Sequence, residues 1–157
     1  MASEIVRTSI FNALQHAAWA RGCAGRRVLD LFAGSGAFGF EALARGATFA
    51  LFVETDAAAR GAIRDTIEAR GLFGVTRIHR RNAADLGVKP AGLSDPFDLV
   101  FIDVTAGVNF DELALARLGN GGWITDDATI VMIGTAAAPA GFRLLASEPD
   151  VTFLTPR

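Results

Sequence analysis

The stretch "DLFAGSGAFGFEAL", residues 30–43, constrains the fold more than any other part of the 157-residue chain. The apolar run "RRVLDL" ends on it, and a helical pattern leaves it. Between them, Gly34, Gly36 and Gly39 satisfy G-x-G-x-x-G. A tight strand-to-helix turn would by itself call for glycine, because glycine reaches backbone conformations that other residues avoid. The context asks for more. Glu54 closes the next apolar run about 20 residues on, the spacing at which an acidic side chain meets the ribose of a bound nucleoside. A carboxylate there accepts both ribose hydroxyls, and the turn amides and helix N-terminus face an anionic group.

The remaining pattern places this turn in an alternating fold. Ile5, Ile10, Phe11, Leu14, Ala17 and Ala18 predict an amphipathic helix over 3–20, with Ser3 as its cap. "RRVLDLFAG" is a buried strand running into the turn, and "GAFGFEALARG" a helix closed by Gly46. "TFALFVET" is a second strand, followed by the helix "DAAARGAIRDTIEARG", which ends at Gly71. "VTRIHR" is a third strand, residues 92–96 a loop, and "FDLVFID" a fourth strand. "DELALARLG" predicts a short helix with Gly119 after it, and "ATIVMI" a fifth strand. The tail "FRLLASEPDVTFLTPR" has two extended runs around "EPD", a hairpin. Strands alternating with helices make βαβ units and a mostly parallel sheet, in one domain over 1–157. Ligands of such sheets bind beyond the carboxyl ends of the strands. That selects Asp30 to Gly36, Glu54 to Asp56, Arg81 to Asp85, and Asp103 to Asn109.

Composition narrows the chemistry. Half the chain is apolar and the formal net charge is −2, so bulk charge does not advertise nucleic-acid binding. Cys23 is the single cysteine, and His16 and His79 are the only histidines. An intrachain disulfide and a thiolate cluster are excluded, and no metal is expected. No signal peptide or membrane span is expected, which makes the cytoplasm the default, and a monomer is expected. A nicotinamide dehydrogenase would need a further substrate domain. The C-terminal hairpin instead suits the S-adenosylmethionine methyltransferase fold, whose last antiparallel strand enters the sheet. In that setting the loop amides meet the cofactor's carboxylate, and Asp30 meets its ammonium.

"IVRTSIFNALQH", "VLDLFAGSGAFGFEALARGA", "FVETD", "FDLVFID" and "LARLGNGGWI" occur in the order found in the bacterial small-subunit (16S) rRNA guanine-N2 methyltransferases, the RsmD family. The chain resembles that family over nearly its whole length. The resemblance implies a Rossmann-like class I methyltransferase: a seven-stranded, mostly parallel sheet with a C-terminal antiparallel hairpin and helices on both faces. It also implies S-adenosylmethionine as cofactor, and ribosomal RNA or the small-subunit particle as partner. The implied cofactor residues are Asp30, Gly34, Ser35, Gly36, Glu54, Asn82 and Ala83. Asn82 stands where the family has an aspartate for the adenine amine.

The departures sit around the reacting position. The family follows its fourth strand with Asp or Asn, two prolines and an aromatic. That motif accepts hydrogen bonds from the target amine and stacks on the flipped base. Here the sequence is Asp103-Val104-Thr105-Ala106. Asp103 is either the surviving amine acceptor or a cap for the loop. Ile5, Thr8 and Ser9 occupy positions that are often charged, and Ile133-Gly134 replaces a common glutamate. The expectation is a methyltransferase with a degenerate active site and impaired or lost catalysis. The alternative is a non-catalytic or engineered binding scaffold on the same fold, built around an apolar pocket. Arg77, His79, Arg80 and Arg81 touch RNA phosphate or form a solvated face. Glu41 reads as a surface residue, and Trp19, Trp123 and most phenylalanines as core.

Overall fold

The computed structural model describes every residue except 1, 94, 105–111 and 135–137. The strands are β1 (Arg27–Leu31), β2 (Phe49–Val53), β3 (Thr76–His79), β4 (Phe97–Asp103), β5 (Ile124–Ile133), β6 (Phe142–Glu148) and β7 (Val151–Pro156). The helices are α1 (Glu4–His16), α2 (Ala37–Ala44), α3 (Ala57–Arg70) and α4 (Glu112–Asn120). The seven strands form one sheet in the order β3-β2-β1-β4-β5-β7-β6. The first five are parallel, and β7 is antiparallel to both β5 and β6. The order reverses between β1 and β4, whose carboxyl ends lie side by side with Leu31 opposite Ile102.

Period-two alternation assigns each strand residue to a face. Val28, Ala50, Phe52, Leu99, Phe101, Val131 and Phe153 pack under α1, α2 and α3. Leu29, Leu31, Leu51, Val53, Val100, Ile102 and Ile130 pack under α4 and the segment 83–93. Both faces of the central strands are buried, so these strands are apolar throughout. Charged residues stand at or beside the strand ends, as at Arg27, Asp98 and Asp103, whereas Asp30 lies inside β1 on the α2 face and is 2% exposed.

The caps follow from the residues present. Ser3 accepts the amide of Val6 at 3.2 Å, Asp56 accepts that of Ala59 at 2.9 Å, and Gly71 ends α3 at φ 66°. Three boundaries differ from the periodicity. The α1 helix ends at His16 rather than residue 20, because the chain turns so that Trp19 reaches Phe153, 4.9 Å between ring centres. Trp19 is consequently half-buried rather than core. The α4 helix runs through Gly119 to Asn120, and the left-handed residue after it is Gly122. The β5 strand begins at Ile124, earlier than its apolar run, and a register shift against β4 absorbs the extra polar residues. Among the phenylalanines, Phe73 is 67% exposed.

Candidate functional site

Each glycine of the turn after β1 has its own reason. Gly34 has φ 58° with nothing near an added Cβ, so conformation alone selects it. At Gly36, φ 81°, a Cβ would lie 2.8 Å from the Phe40 ring and 2.9 Å from that of Phe52. Gly39 is helical, and a Cβ there would stand 2.4 Å from Phe52 and 3.3 Å from the Asp30 carboxylate. The third glycine therefore lets α2 settle onto β2 and lets its amide donate to Asp30 Oδ2 at 3.0 Å. Phe32, just before, holds φ 55°, a conformation that a bulky residue adopts only under constraint.

Glu54 ties two turns together. Its Oε1 accepts the Gly34 amide at 2.8 Å, and its Oε2 accepts the amides of Thr55 and Asp56, each at 3.0 Å. A carboxylate has about four acceptor directions, and three are used here. Ribose hydroxyls reaching Glu54 therefore share it with the loop amides.

Two cavities open over these residues, both at the carboxyl ends of the parallel strands. One, about 230 Å³, is lined by Asp30, Phe32, Gly34, Ser35, Phe38, Glu54 and Asp103, with Ala2, Arg7, Ala33 and Ala37. The other, about 270 Å³, is lined by Phe32, Val53, Glu54, Thr55, Arg81, Asn82 and Ala83. Phe32 and Glu54 belong to both. The first cavity brings together Asp30, Gly34, Ser35, Glu54 and Asp103; the second takes Glu54, Asn82 and Ala83. Gly36 lies beneath, at the N-cap of α2. Asn82 Oδ1 accepts the Ala84 amide at 2.9 Å, so this oxygen shapes its own loop. Thr105 to Asn109, which sequence placed beside Asp103, lie outside the described residues.

The electrostatics of the first cavity are lopsided. Burial pushes the Asp30 carboxyl up to about 8, against the pull of the Gly39 amide, and the nearby charges of Asp103 and Glu54 push the same way. At neutral pH Asp30 mostly keeps its proton until a cation approaches. The N-terminus of α2 has no side-chain cap and no acidic residue in its first turn, so its positive end is free for an anion. Arg7 stands on the same wall, half-buried, with no ion pair among the described residues. The cavity offers acid to an ammonium at one point and amides plus a guanidinium to a carboxylate at another.

Phe32, Thr55 and Arg81 line this cleft from within the segments selected by sequence, without an individual role there, and Arg7 lines it from outside them. Phe32 lies within the quoted motif, and Arg81 within the basic cluster; Arg7 carries no local signal, because its place depends on how α1 packs beside α2. In the rest of that cluster, Arg77 and Arg80 are exposed. His79 is half-buried 6.0 Å from Trp123, and its Nε2 has no hydrogen-bond partner among the described residues. Burial, then the charges of Arg81 and Arg77, lower its pKa. Glu41 pairs with Arg45 at 3.3 Å on the surface. Among the described residues no three His, Cys, Asp or Glu side chains are grouped to hold a metal, and no helix is long and apolar enough to cross a membrane.

Comparison with known proteins gives this cleft its context. A family model described as Conserved hypothetical protein 95 matches residues 2–139. Ribosomal RNA small subunit methyltransferase D of Escherichia coli (strain K12) is 33% identical over 121 residues, covering 74% of this chain and 59% of that protein. The chain thus spans less than two thirds of that relative's length. A solved conserved hypothetical protein from Streptococcus pyogenes superposes with TM-score 0.77 at 25% identity, covering 96% of this chain and 95% of that one. Magnesium protoporphyrin IX methyltransferase from Synechocystis, solved with bound S-adenosylmethionine, superposes with TM-score 0.68 at 12% identity, covering 98% and 79%. That likeness is one of fold alone, and the fold is that of class I methyltransferases. With most of its length inside the family model, the protein belongs to the Conserved hypothetical protein 95 family, the RsmD family that its sequence resembles.

Proposed function

We propose that this chain binds S-adenosylmethionine in the paired cavities and descends from enzymes that methylate a guanine amine of ribosomal RNA, with the transfer step itself impaired. The observation that carries the cofactor reading is the buried carboxyl of Asp30 facing the same cavity as the uncapped α2 N-terminus. An amino acid joined to a nucleoside fits that set. Its ammonium lies toward Asp30, its carboxylate toward Ser35, Ala37 and Arg7, and its ribose toward Glu54. Its adenine lies toward Asn82 and Ala83. When bound, S-adenosylmethionine supplies a methyl group on a sulfonium.

The chain's own part in transfer is to hold the acceptor amine in line. Asp103 ends β4 in the cavity wall and is the group placed to accept a hydrogen bond from that amine. Val104 follows it and packs against the core under α4 instead of supplying a proline-shaped turn. No prolines and no aromatic occupy 104–106. One hydrogen bond does not fix the plane of a base, and misplacement by about 1 Å costs on the order of a hundredfold in rate. The scaffold alternative has no observation of its own, since the cavity retains three carboxylates and an arginine. The protein acts as a monomer on the small-subunit particle or its RNA.

Two measurements test this. Calorimetric titration with the demethylated cofactor, S-adenosylhomocysteine, is expected to show saturable binding; no heat at millimolar ligand removes the cofactor reading. Labelled S-adenosylmethionine and unmodified small-subunit particles are expected to give transfer reduced more than about a hundredfold relative to an intact family enzyme. Stoichiometric labelling of a guanine at an ordinary enzymatic rate would establish Val104-Thr105-Ala106 as a working variant.

A further inference from the structure

A third depression, about 440 Å³, lies outside the cofactor cleft, on the outer side of α2. The α2 helix has eight residues, shorter than the α1 and α3 helices that share its face of the sheet. Ala37, Glu41 and Ala44 line the trough, with Arg7 from α1 and Thr66 and Arg70 from α3. Ser35, Ala37 and Arg7 also line the first cofactor cavity, so the trough leads to the mouth of the cleft.

Its charge is opposite to that of the whole chain. Glu41 is neutralised by Arg45 at 3.3 Å. Arg70 and Arg7 make no ion pair with any described residue, and the Arg70 guanidinium rests 5.5 Å over the Phe40 ring. That stacking presents it as an oriented donor. A groove with the Arg70 guanidinium in it and that of Arg7 at its end, neither in an ion pair with a described residue, is a local cationic feature in a chain of net charge −2.

We infer that this groove carries the sugar–phosphate backbone of the RNA segment flanking the target nucleotide, with Arg70 facing a phosphate and Arg7, at the end shared with the cleft, adding to the positive field while it faces the cofactor's carboxylate. The inference rests on the RNA-substrate reading above and extends it from the cleft onto the outer side of α2. A chain of phosphates suits a trough that is continuous with the cleft, because a nucleotide placed at Asp103 must leave the cleft with its neighbours on some path. Guanidinium groups bind phosphate without reading sequence, so the groove contributes affinity and register rather than base choice.

The test uses the whole chain and a short, labelled single-stranded RNA of mixed sequence, titrated at rising potassium chloride. Arg70→Gln is expected to weaken binding severalfold and to flatten the dependence of log affinity on log salt by about 0.7, the value for one phosphate contact on a single strand. Arg70→Lys should retain the wild-type slope. Arg117→Gln, exposed on α4 across the sheet, should change neither quantity. Because Arg70 lines only the groove, S-adenosylhomocysteine affinity should stay at the wild-type value in Arg70→Gln, which also reports that the variant folds. A wild-type slope in Arg70→Gln overturns the groove assignment, as does an equal loss in Arg117→Gln. Failure of the wild-type chain to bind RNA while it binds S-adenosylhomocysteine overturns the RNA reading itself.

Discussion

The two ends of the parallel sheet use charge in opposite ways. At the amino end, Arg26 is 5% exposed and its Nε lies 3.2 Å from Asp98 Oδ2. Its Nη2 donates to the Asp98 carbonyl and to Thr129. Asp98 also accepts the Arg27 amide at 2.8 Å, and the Arg27 guanidinium sits between the rings of Phe49 and Phe97, 4.9 and 5.0 Å from their centres. Charge there is matched and covered, and it stitches β1, β4 and β5 together. At the carboxyl end, Asp30, Glu54 and Asp103 gather around one cavity with Arg7 on its wall. Crowding of like charge raises the free energy of the folded state, which a bound cation offsets. One end pairs its charges, and the other leaves them around an open cavity.

The largest expected effect breaks the first half of that comparison. Arg26→Ala leaves Asp98 partly buried without its partner and frees the Asp98 carbonyl. We expect a loss of about 3 kcal/mol in unfolding free energy, the low end for a broken buried pair because Asp98 is partly exposed. S-adenosylhomocysteine affinity should not change, since no atom of the cleft is touched. Denaturant midpoints and calorimetry measure the two quantities separately. An unchanged midpoint would mean that the amino end is not a stabilising clasp.

Glu54→Ala should give the reverse pattern. It removes the acceptor for the Gly34, Thr55 and Asp56 amides, which solvent can partly replace because Glu54 is not fully buried. Ligand affinity is expected to fall by about 1–3 kcal/mol, the scale of lost charge-assisted hydrogen bonds. The stability loss should be smaller than that of Arg26→Ala. Affinity equal to wild type in this variant would place the ligand away from the joined cavities.

How much of this was legible in the sequence divides along the same line. The strands around the turn were readable because both their faces are buried, which writes continuous apolar runs such as "FDLVFID", found at Phe97–Asp103 as expected. Caps and glycines are local, so Ser3 and Gly71 were informative. Long-range packing was not legible. Trp19 turns away from α1 for a ring more than a hundred residues later, and no periodicity encodes that. Arg7 carries no signal of its own in the sequence; only the placement of α1 beside the α2 N-terminus brings it to two cavities. Spacing singles out Glu54, yet its three amide bonds belong to backbone geometry that spacing does not specify.

The last expectation is the smallest per step and concerns Asp30. Its carboxyl titrates near 8 in the folded chain, raised first by burial, and near the ordinary 3.8 when unfolded. The unfolded chain therefore gives up this proton at low pH while the folded chain keeps it. Between about pH 4 and 8 the folded state holds more protons, so rising pH removes stability until the folded group has also ionised. The slope from this residue is at most about 1.4 kcal/mol per pH unit. Asp30→Asn, which keeps the shape of the protonated acid, should show a flatter profile over that window and match the wild type best at its acidic end. Ligand binding should respond in the opposite sense. A cation beside Asp30 favours its ionised form, so S-adenosylhomocysteine affinity should rise with pH up to about 8 and binding should release a proton, both effects vanishing in Asp30→Asn. Calorimetry in buffers of different ionisation heat reads the proton directly. A binding reaction that releases none at pH 7 would mean that the ligand's ammonium sits against Glu54 or Asp103, and that Asp30 serves only to hold the Gly39 amide.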